Sequence, residues 1–264
     1  MELITSLQNK KVLSLRKLYK SSERKKSELF IAEGYKETLK GLKSGLILDS
    51  FYFCDEIIKP EHKEEISNLL GNNVNIFEIN KQVYEKLVYR DNTEGLLAVF
   101  KKKNYSLDEI LPKNSHCFYI ILESIEKPGN MGAVLRTADA VGADAVIITE
   151  SLVDQYNPNV VRASLGTLFN IPVVSCSNKE LLQWVKANNI KTYAAALPAF
   201  DNLYEIKFEG STAMIFGSES NGLGDFWINN SDKVFTIPMD GTVDSLNISV
   251  SVAISAYEVY RQKL

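Results

Sequence analysis

Asn130, Arg136, Glu219, Ser245 and Asn247 sit in three loop-bearing stretches, 123–143, 217–227 and 237–258, each entered from a short apolar run. In the third, IPMDGTVDSLNISVSVAISAYE, the chain passes a proline and a glycine-bearing turn. It then opens a small-residue helix at Ser245-Leu246-Asn247. Such an entrance gathers backbone N–H groups, a hydroxyl and a carboxamide at one point, a set suited to a bound polar ligand. The same residues also suit a plain helix cap. In the first stretch, ESIEKPGNMGAVLRTADAVGA, Pro128-Gly129 makes a tight turn and Asn130 is expected as the helix N-cap. Arg136 lies six residues on, nearly two helical turns, and is expected to project toward the same side. In the second, GSESNGLGDFW, glycines 217, 222 and 224 let the backbone turn sharply and approach a ligand, with the Glu219 carboxylate between them as acceptor or electrostatic partner. A dinucleotide site is the competing reading of these glycines, but Gly129-Asn130-Met131-Gly132 does not have the Gly-x-Gly-x-x-Gly spacing.

Positioning three loops at one place requires a scaffold with a common end. The runs FYIIL, AVIIT, IPVVS, TYAAAL, AMIFG and VFTIP read as buried strands, and helical segments separate most of them. This alternation predicts an α/β fold with a parallel sheet, whose ligands sit at the carboxyl ends of the strands. Residues 1–100 predict a smaller α/β unit. It has an amphipathic helix over LQNKKVLSLRKLYKSSERKK, a strand and a helix ending near Gly45. Strands LILDSFYF and VNIFEI then flank a charged helix, and a helix at KQVYEKLVY precedes a strand at GLLAVF. Residues 101–115, polar and proline-bearing, read as a linker to a second domain at 116–264.

Composition narrows the chemistry. With 264 residues, 45% apolar and 24% charged, the chain fits a soluble globular protein. No run approaches the ~18 apolar residues of a membrane span, and MELITSLQNKK lacks a signal-peptide layout, so a cytoplasmic protein is expected. Three scattered cysteines read as reduced residues. Two histidines without ligand spacing speak against a metal site and against His-dependent nucleophilic catalysis. The net charge of −3 hides an asymmetry. Residues 1–115 hold 20 Lys+Arg against 17 Asp+Glu, whereas 116–264 hold 10 against 16. The early basic run, including Lys10, Lys11, Arg16, Lys17 and Arg24, is either a solvated helix face or a phosphate-binding arm.

Taken together, PGNMGAVLRTADAVGA, IFGSESNGL and IPMDGTVDSLNISVSVAISAYE resemble, in order and spacing, the three motifs of the SpoU/TrmH branch of the SPOUT RNA ribose 2′-O-methyltransferases. NPNVVRASLGTLFNIPVV, with Arg162, also resembles that family, and the N-terminal unit looks like its L30e-like substrate-binding domain. Departures are few: Glu123 stands where many members carry Asp, and Lys10 and Leu13 replace commoner Pro and Lys. The resemblance implies a SPOUT domain with a deep trefoil knot, an exception to the rule against knots. It also implies S-adenosyl-L-methionine as cofactor, no metal, and a homodimer formed through the C-terminal domain. The implied substrate is RNA, ribosomal (23S-type) ahead of transfer RNA; a non-catalytic RNA-binding or assembly protein is the alternative on the same fold. By similarity, Leu197, Gly217, Glu219, Ile237, Met239, Ser245 and Leu246 cradle the cofactor. Arg136 activates the ribose hydroxyl, with Asn130, Glu219 and Asn247 positioning. Lys10, Lys11, Arg16, Lys17, Arg24 and Arg162 are the expected RNA contacts. Arginine keeps its proton in ordinary surroundings, so its role divides between a base in a strongly desolvated site and an electrostatic stabiliser of the developing alkoxide.

Overall fold

The structure is a computed structural model describing residues 2–71, 74–89, 94–151, 153–197, 199, 201–242 and 245–263. By contact the chain divides into two units, 1–103 with 154–169, and 104–153 with 170–264.

The first unit is built on a five-stranded sheet of order β1-β4-β3-β5-β2. Its strands are β1 (Glu2–Ile4), β2 (Leu29–Glu33), β3 (Leu48–Phe53), β4 (Asn75–Ile79) and β5 (Leu96–Lys101). β1, β4 and β3 run parallel, while β5 is antiparallel to both β3 and β2. Helices α1 (Lys10–Lys17), α2 (Ser21–Ser27), α3 (Tyr35–Lys43), α4 (Pro60–Leu69) and α5 (Lys81–Leu87) complete this part. Ile4, Val12, Leu15, Tyr52, Tyr84 and Leu97 share one core.

The single amphipathic helix expected over the basic segment is two helices. Val12, Leu15 and Leu18 bury the apolar face of α1, but SSERKKS offers no apolar residue to continue it. The chain therefore turns at Leu18–Lys20 and the inward position of α2 falls to Arg24, which is only 1% exposed. Its Nε donates to Asp154 Oδ2 at 2.7 Å and its Nη1 to the Leu18 carbonyl at 2.8 Å. A buried charge needs such partners. Arg24 is thus a structural residue with no surface left for RNA, contrary to the expectation from sequence.

The second unit carries a seven-stranded sheet of order β10-β12-β9-β11-β6-β7-β8 in which every pairing is parallel. The strands are β6 (Phe118–Glu123), β7 (Ala145–Thr149), β8 (Val173–Cys176), β9 (Lys191–Ala195), β10 (Asp201–Asn202), β11 (Thr212–Phe216) and β12 (Lys233–Thr236). Every residue of β6, β7 and β11 is buried, as continuous apolar runs covered on both faces require. The two-residue β10 has no periodicity to read. Helices α6 (Pro128–Ala140), α8 (Asn178–Ala187), α9 (Asp225–Asn230) and α10 (Ile248–Lys263) surround the sheet; one more, α7 (Pro158–Ala163), belongs to the first unit.

The contact division differs from the sequence division at two places. Residues 104–115 join the second unit: Tyr105 bridges Val174, and the Tyr119 hydroxyl donates to the Ile110 carbonyl at 3.0 Å. Residues 154–169 join the first, where the Phe30 ring lies 4.4 Å from Tyr156 and 5.7 Å from Phe169, centroid to centroid. Among the described residues no helix is long and apolar enough to cross a membrane.

Candidate functional site

Because all seven strands of the second unit run the same way, the loops after β6, β9, β11 and β12 emerge at one end. There a cavity of about 390 Å³ opens. Its wall includes all seven residues expected at a cofactor: Leu197, Gly217, Glu219, Ile237, Met239, Ser245 and Leu246. Its apolar floor comes from Phe216, Leu223, Phe235 and Ile248, and polar lining also comes from Thr236 and Ser251. Sequence reasoning missed Thr236 and Ser251. The latter lies one helical turn beyond Asn247 and would have followed from helix geometry.

The loop after β11 owes its shape to glycine at two points. A Cβ on Gly217 would lie 2.1 Å from the backbone of Gly222 and Leu223, so no side chain fits. Gly222 adopts φ +67°, and reciprocal backbone bonds close the loop, Ser218 N to Gly222 O at 2.9 Å and Gly222 N to Ser218 O at 3.0 Å. Beneath it, Glu123 is 6% exposed and fully engaged. Its Oε2 accepts from Gly224 N at 2.7 Å and its Oε1 from Asn178 Nδ2 at 2.6 Å, while Asn178 Oδ1 accepts from Trp227 Nε1 at 2.8 Å. Glu123 therefore holds the loop; it does not face the cavity. Glu150, directly after β7, is also in use, its Oε1 accepting from Asn178 N at 3.1 Å.

One hydrogen-bonded chain links the three motif loops. Asn130 Nδ2 donates to Glu219 Oε1, and Asn247 Nδ2 donates to Asn130 Oδ1 at 3.3 Å. Asn247 Oδ1 in turn accepts from Ser249 N at 2.9 Å and Ser249 Oγ at 2.7 Å, so Asn247 caps α10 while reaching the cluster. Asn130 is not the N-cap of α6 as expected. Lys127 occupies that position without a side-chain cap bond, and Pro128 takes the first helical place, where its missing N–H costs nothing. This frees the Asn130 carboxamide for the cluster. Glu219 Oε2 is buried without a partner among the described residues. An unsatisfied buried carboxylate oxygen is costly and calls for a donor from outside the chain.

Arg136 is exposed on α6, with no hydrogen bond or ion pair among the described residues, and it does not line the cavity. Six residues sweep about 600° of helix, so Arg136 leaves α6 about 120° away from Asn130, not on the same side. On the first unit, Lys10, Arg16 and Lys17 are exposed along α1. Lys11 is half-buried with its Nζ 3.8 Å from the Phe77 ring centroid, and Arg162 is half-buried on α7. The basic face of α1 is real; Arg24 is not part of it.

The described residues contain no group of three His, Cys, Asp or Glu side chains able to hold a metal. Cys54, Cys117 and Cys176 are all free thiols. Burial pushes the Cys176 thiol up to about 12, with Glu180 and Glu150 adding to the effect. Asp232 fastens the amino ends of β9 and β12, remote from the cavity end. It accepts from Thr192 N at 2.9 Å and Thr192 Oγ1 at 2.8 Å and meets Lys191 Nζ at 3.2 Å. Burial pulls its carboxyl upward, but these hydrogen bonds and Lys191 outweigh burial and leave it below the usual carboxylate range.

A profile described as the SpoU rRNA Methylase family matches residues 117–257, and one described as the MRM3-like substrate binding domain matches residues 9–98. The 23S rRNA (guanosine(2553)-2′-O)-methyltransferase RlmP of Bacillus subtilis (strain 168) is 27% identical over 259 residues, covering 98% of this chain and 99% of that protein. The AdoMet-bound rRNA methyltransferase from Sinorhizobium meliloti superposes with a TM-score of 0.92 at 26% identity, covering 100% of this chain and 98% of that one. A crystal structure of an RNA 2′-O ribose methyltransferase superposes with a TM-score of 0.87 at 32% identity, covering 99% of both chains.

Proposed function

Since this chain belongs to the SpoU rRNA methylase family, we propose that it methylates the 2′-hydroxyl of a ribose in ribosomal RNA of the 23S type, with S-adenosyl-L-methionine as donor. The observation that carries this reading is the Glu219–Asn130–Asn247 chain beside the cavity, with Glu219 Oε2 left without a partner among the described residues. The residues present fit the cofactor. At about 390 Å³ the cavity falls in the range of small-ligand sites. Leu197, Ile237, Met239 and Leu246 supply apolar contact, Ser245 and the backbone after Gly217 supply polar groups, and Glu219 Oε2 lacks a donor among the described residues. When bound, the cofactor supplies an electrophilic methyl group on a cationic sulfur.

The chain's own residues then have separable tasks. Asn130 is fixed from both sides, so it holds Glu219 and Asn247 at set places without reorganising during the reaction. A ribose hydroxyl is a very weak acid, and losing its proton leaves negative charge on oxygen. Arg136, exposed and without a carboxylate partner among the described residues, stabilises that oxygen or the neighbouring phosphate. Residues 1–100 recognise RNA, with Lys10, Lys11, Arg16 and Lys17 and, from α7, Arg162 as contacts. Residues 101–115 join them to a methyltransferase domain at 116–264; the matched segments 9–98 and 117–257 support this division.

The same reading includes a C-terminal trefoil knot, a homodimer and a cytoplasmic setting. Exposed Val250 and Tyr257, spaced along α10, with Tyr260 and Tyr204 beside them, support pairing through the C-terminal domain. The test is methyl transfer from labelled S-adenosyl-L-methionine by the purified full chain to deproteinised ribosomal RNA and, separately, to transfer RNA. Label in ribose of ribosomal RNA is expected. Label in transfer RNA alone, or cofactor binding with no transfer to either RNA, would overturn the reading.

A further inference from the structure

We propose that Tyr89 is a stacking platform for an unpaired nucleobase of the RNA substrate; this rests on the reading of the chain as an RNA methyltransferase. Tyr89 follows α5 and its side chain is 63% exposed, so it contributes little to the core. It is nonetheless held in place. Its ring stacks on Tyr19, with centroids 6.3 Å apart and planes 21° from parallel. Its backbone N–H donates to both Glu33 carboxylate oxygens at 3.3 Å. The same Glu33 accepts from the Tyr19 hydroxyl. One carboxylate at the end of β2 thus fixes the backbone of the exposed ring and the ring behind it.

The surroundings supply the complementary charge. Tyr19 stands between Lys17 and Lys20, directly after α1, and Arg16, Lys17 and Lys20 are all exposed. None of the three has a carboxylate partner among the described residues. Consecutive Cα atoms are about 3.8 Å apart, so the backbone of Lys17 and Lys20 lies within about 8 Å of that of Tyr19, and these cations belong to the same stretch of surface. A fixed aromatic face beside unpaired cations matches one nucleotide of single-stranded RNA, the base on the ring and its phosphates on the basic side chains. An acidic peptide would use the cations but not the flat ring. The α1 contacts alone would give grip that salt weakens; Tyr89 adds recognition of an unpaired base.

The test compares steady-state methylation of deproteinised ribosomal RNA by the full-length protein, Tyr89→Ala and Tyr89→Trp, with S-adenosyl-L-methionine affinity measured alongside. Tyr89→Ala is expected to raise KM for RNA by roughly five-fold or more, the scale of one lost base stack, with kcat and cofactor affinity unchanged. Tyr89→Trp is expected to restore KM, and the salt dependence of KM should change in Lys17→Ala but not in Tyr89→Ala. An unchanged KM in Tyr89→Ala, or a fall in cofactor affinity accompanying its rise, would overturn the stacking role alone. Failure of the unsubstituted chain to methylate any RNA would overturn the functional reading and this proposal with it.

Discussion

Asn130 donates its carboxamide N–H to Glu219, 89 residues away, and so joins the third residue of α6 to the loop after β11. Asn247 adds the third motif loop to the same carboxamide. Asn130→Ala removes both bonds together and leaves Glu219 Oε1 as unsatisfied as Oε2. At about 1 kcal/mol per bond, methyl transfer should fall by ten-fold or more with only a small change in thermal midpoint. Activity within two-fold of the parent would show that the cluster does not organise the site.

Gly217→Ala tests the loop itself. Its Cβ would stand 2.1 Å from backbone atoms, which cannot swing aside as a side chain could. Overpacking of this kind costs about 1–3 kcal/mol. Calorimetry should show loss of S-adenosyl-L-methionine binding and a lowered Tm. Unimpaired binding would mean that the loop has another low-energy form.

Glu123 is the support of that loop. Glu123→Ala leaves Gly224 N–H and the Asn178 carboxamide N–H, both part-buried, without their acceptor, and frees Asn178, the hydrogen-bond partner of the Trp227 indole, to move. A fully buried group left unpaired costs about 1–3 kcal/mol, and these part-buried donors cost toward the lower end. Stability should drop clearly, and Trp227, fully buried here, should shift its fluorescence emission to the red. Glu123→Asp, the shorter acid common in the family, should be milder but still measurable, because one carboxylate must span both donors. Equal stability of all three forms would refute the network.

Cys176 supplies a pH test with a definite sign. Its thiol is pushed up to about 12 in the folded chain by burial and then by Glu180 and Glu150, whereas an unfolded thiol ionises near pH ~8.5. Below that pH both states are protonated and the stabilising contribution is complete. Above it the unfolded state alone releases its proton, so this contribution is lost as pH rises toward 12. Iodoacetamide at pH 8 should label Cys176 far more slowly than free cysteine, and Cys176→Ser should lessen the loss of stability between pH 8 and 10. Rapid labelling of folded protein would contradict the burial argument.

Much of the site was legible because its signals are local. Each of the six apolar runs became a strand, and the residues expected at the cofactor all line one cavity. Parallel strands place their loops at one end without further information. What escaped depends on distant partners. Arg24 carries the same charge as its exposed neighbours, and only Asp154, 130 residues on, explains why it turns inward. Residues 154–169 leave the second unit because Tyr156 and Phe169 have an aromatic core to enter beside Phe30, which their own sequence does not announce. Asn130 looked like a cap because caps and site carboxamides are the same residue type. The proline two places before it, able to start a helix unaided, was the overlooked clue.

The most direct test of the central claim is a map of 2′-O-methylated riboses across total RNA from cells with and without this gene. The account predicts one ribose in 23S-type ribosomal RNA that loses its methyl group in the deletion. That mark should return with the intact gene and not with Arg136→Ala. An identical ribosomal RNA map in both cells, or full restoration by Arg136→Ala, would contradict it.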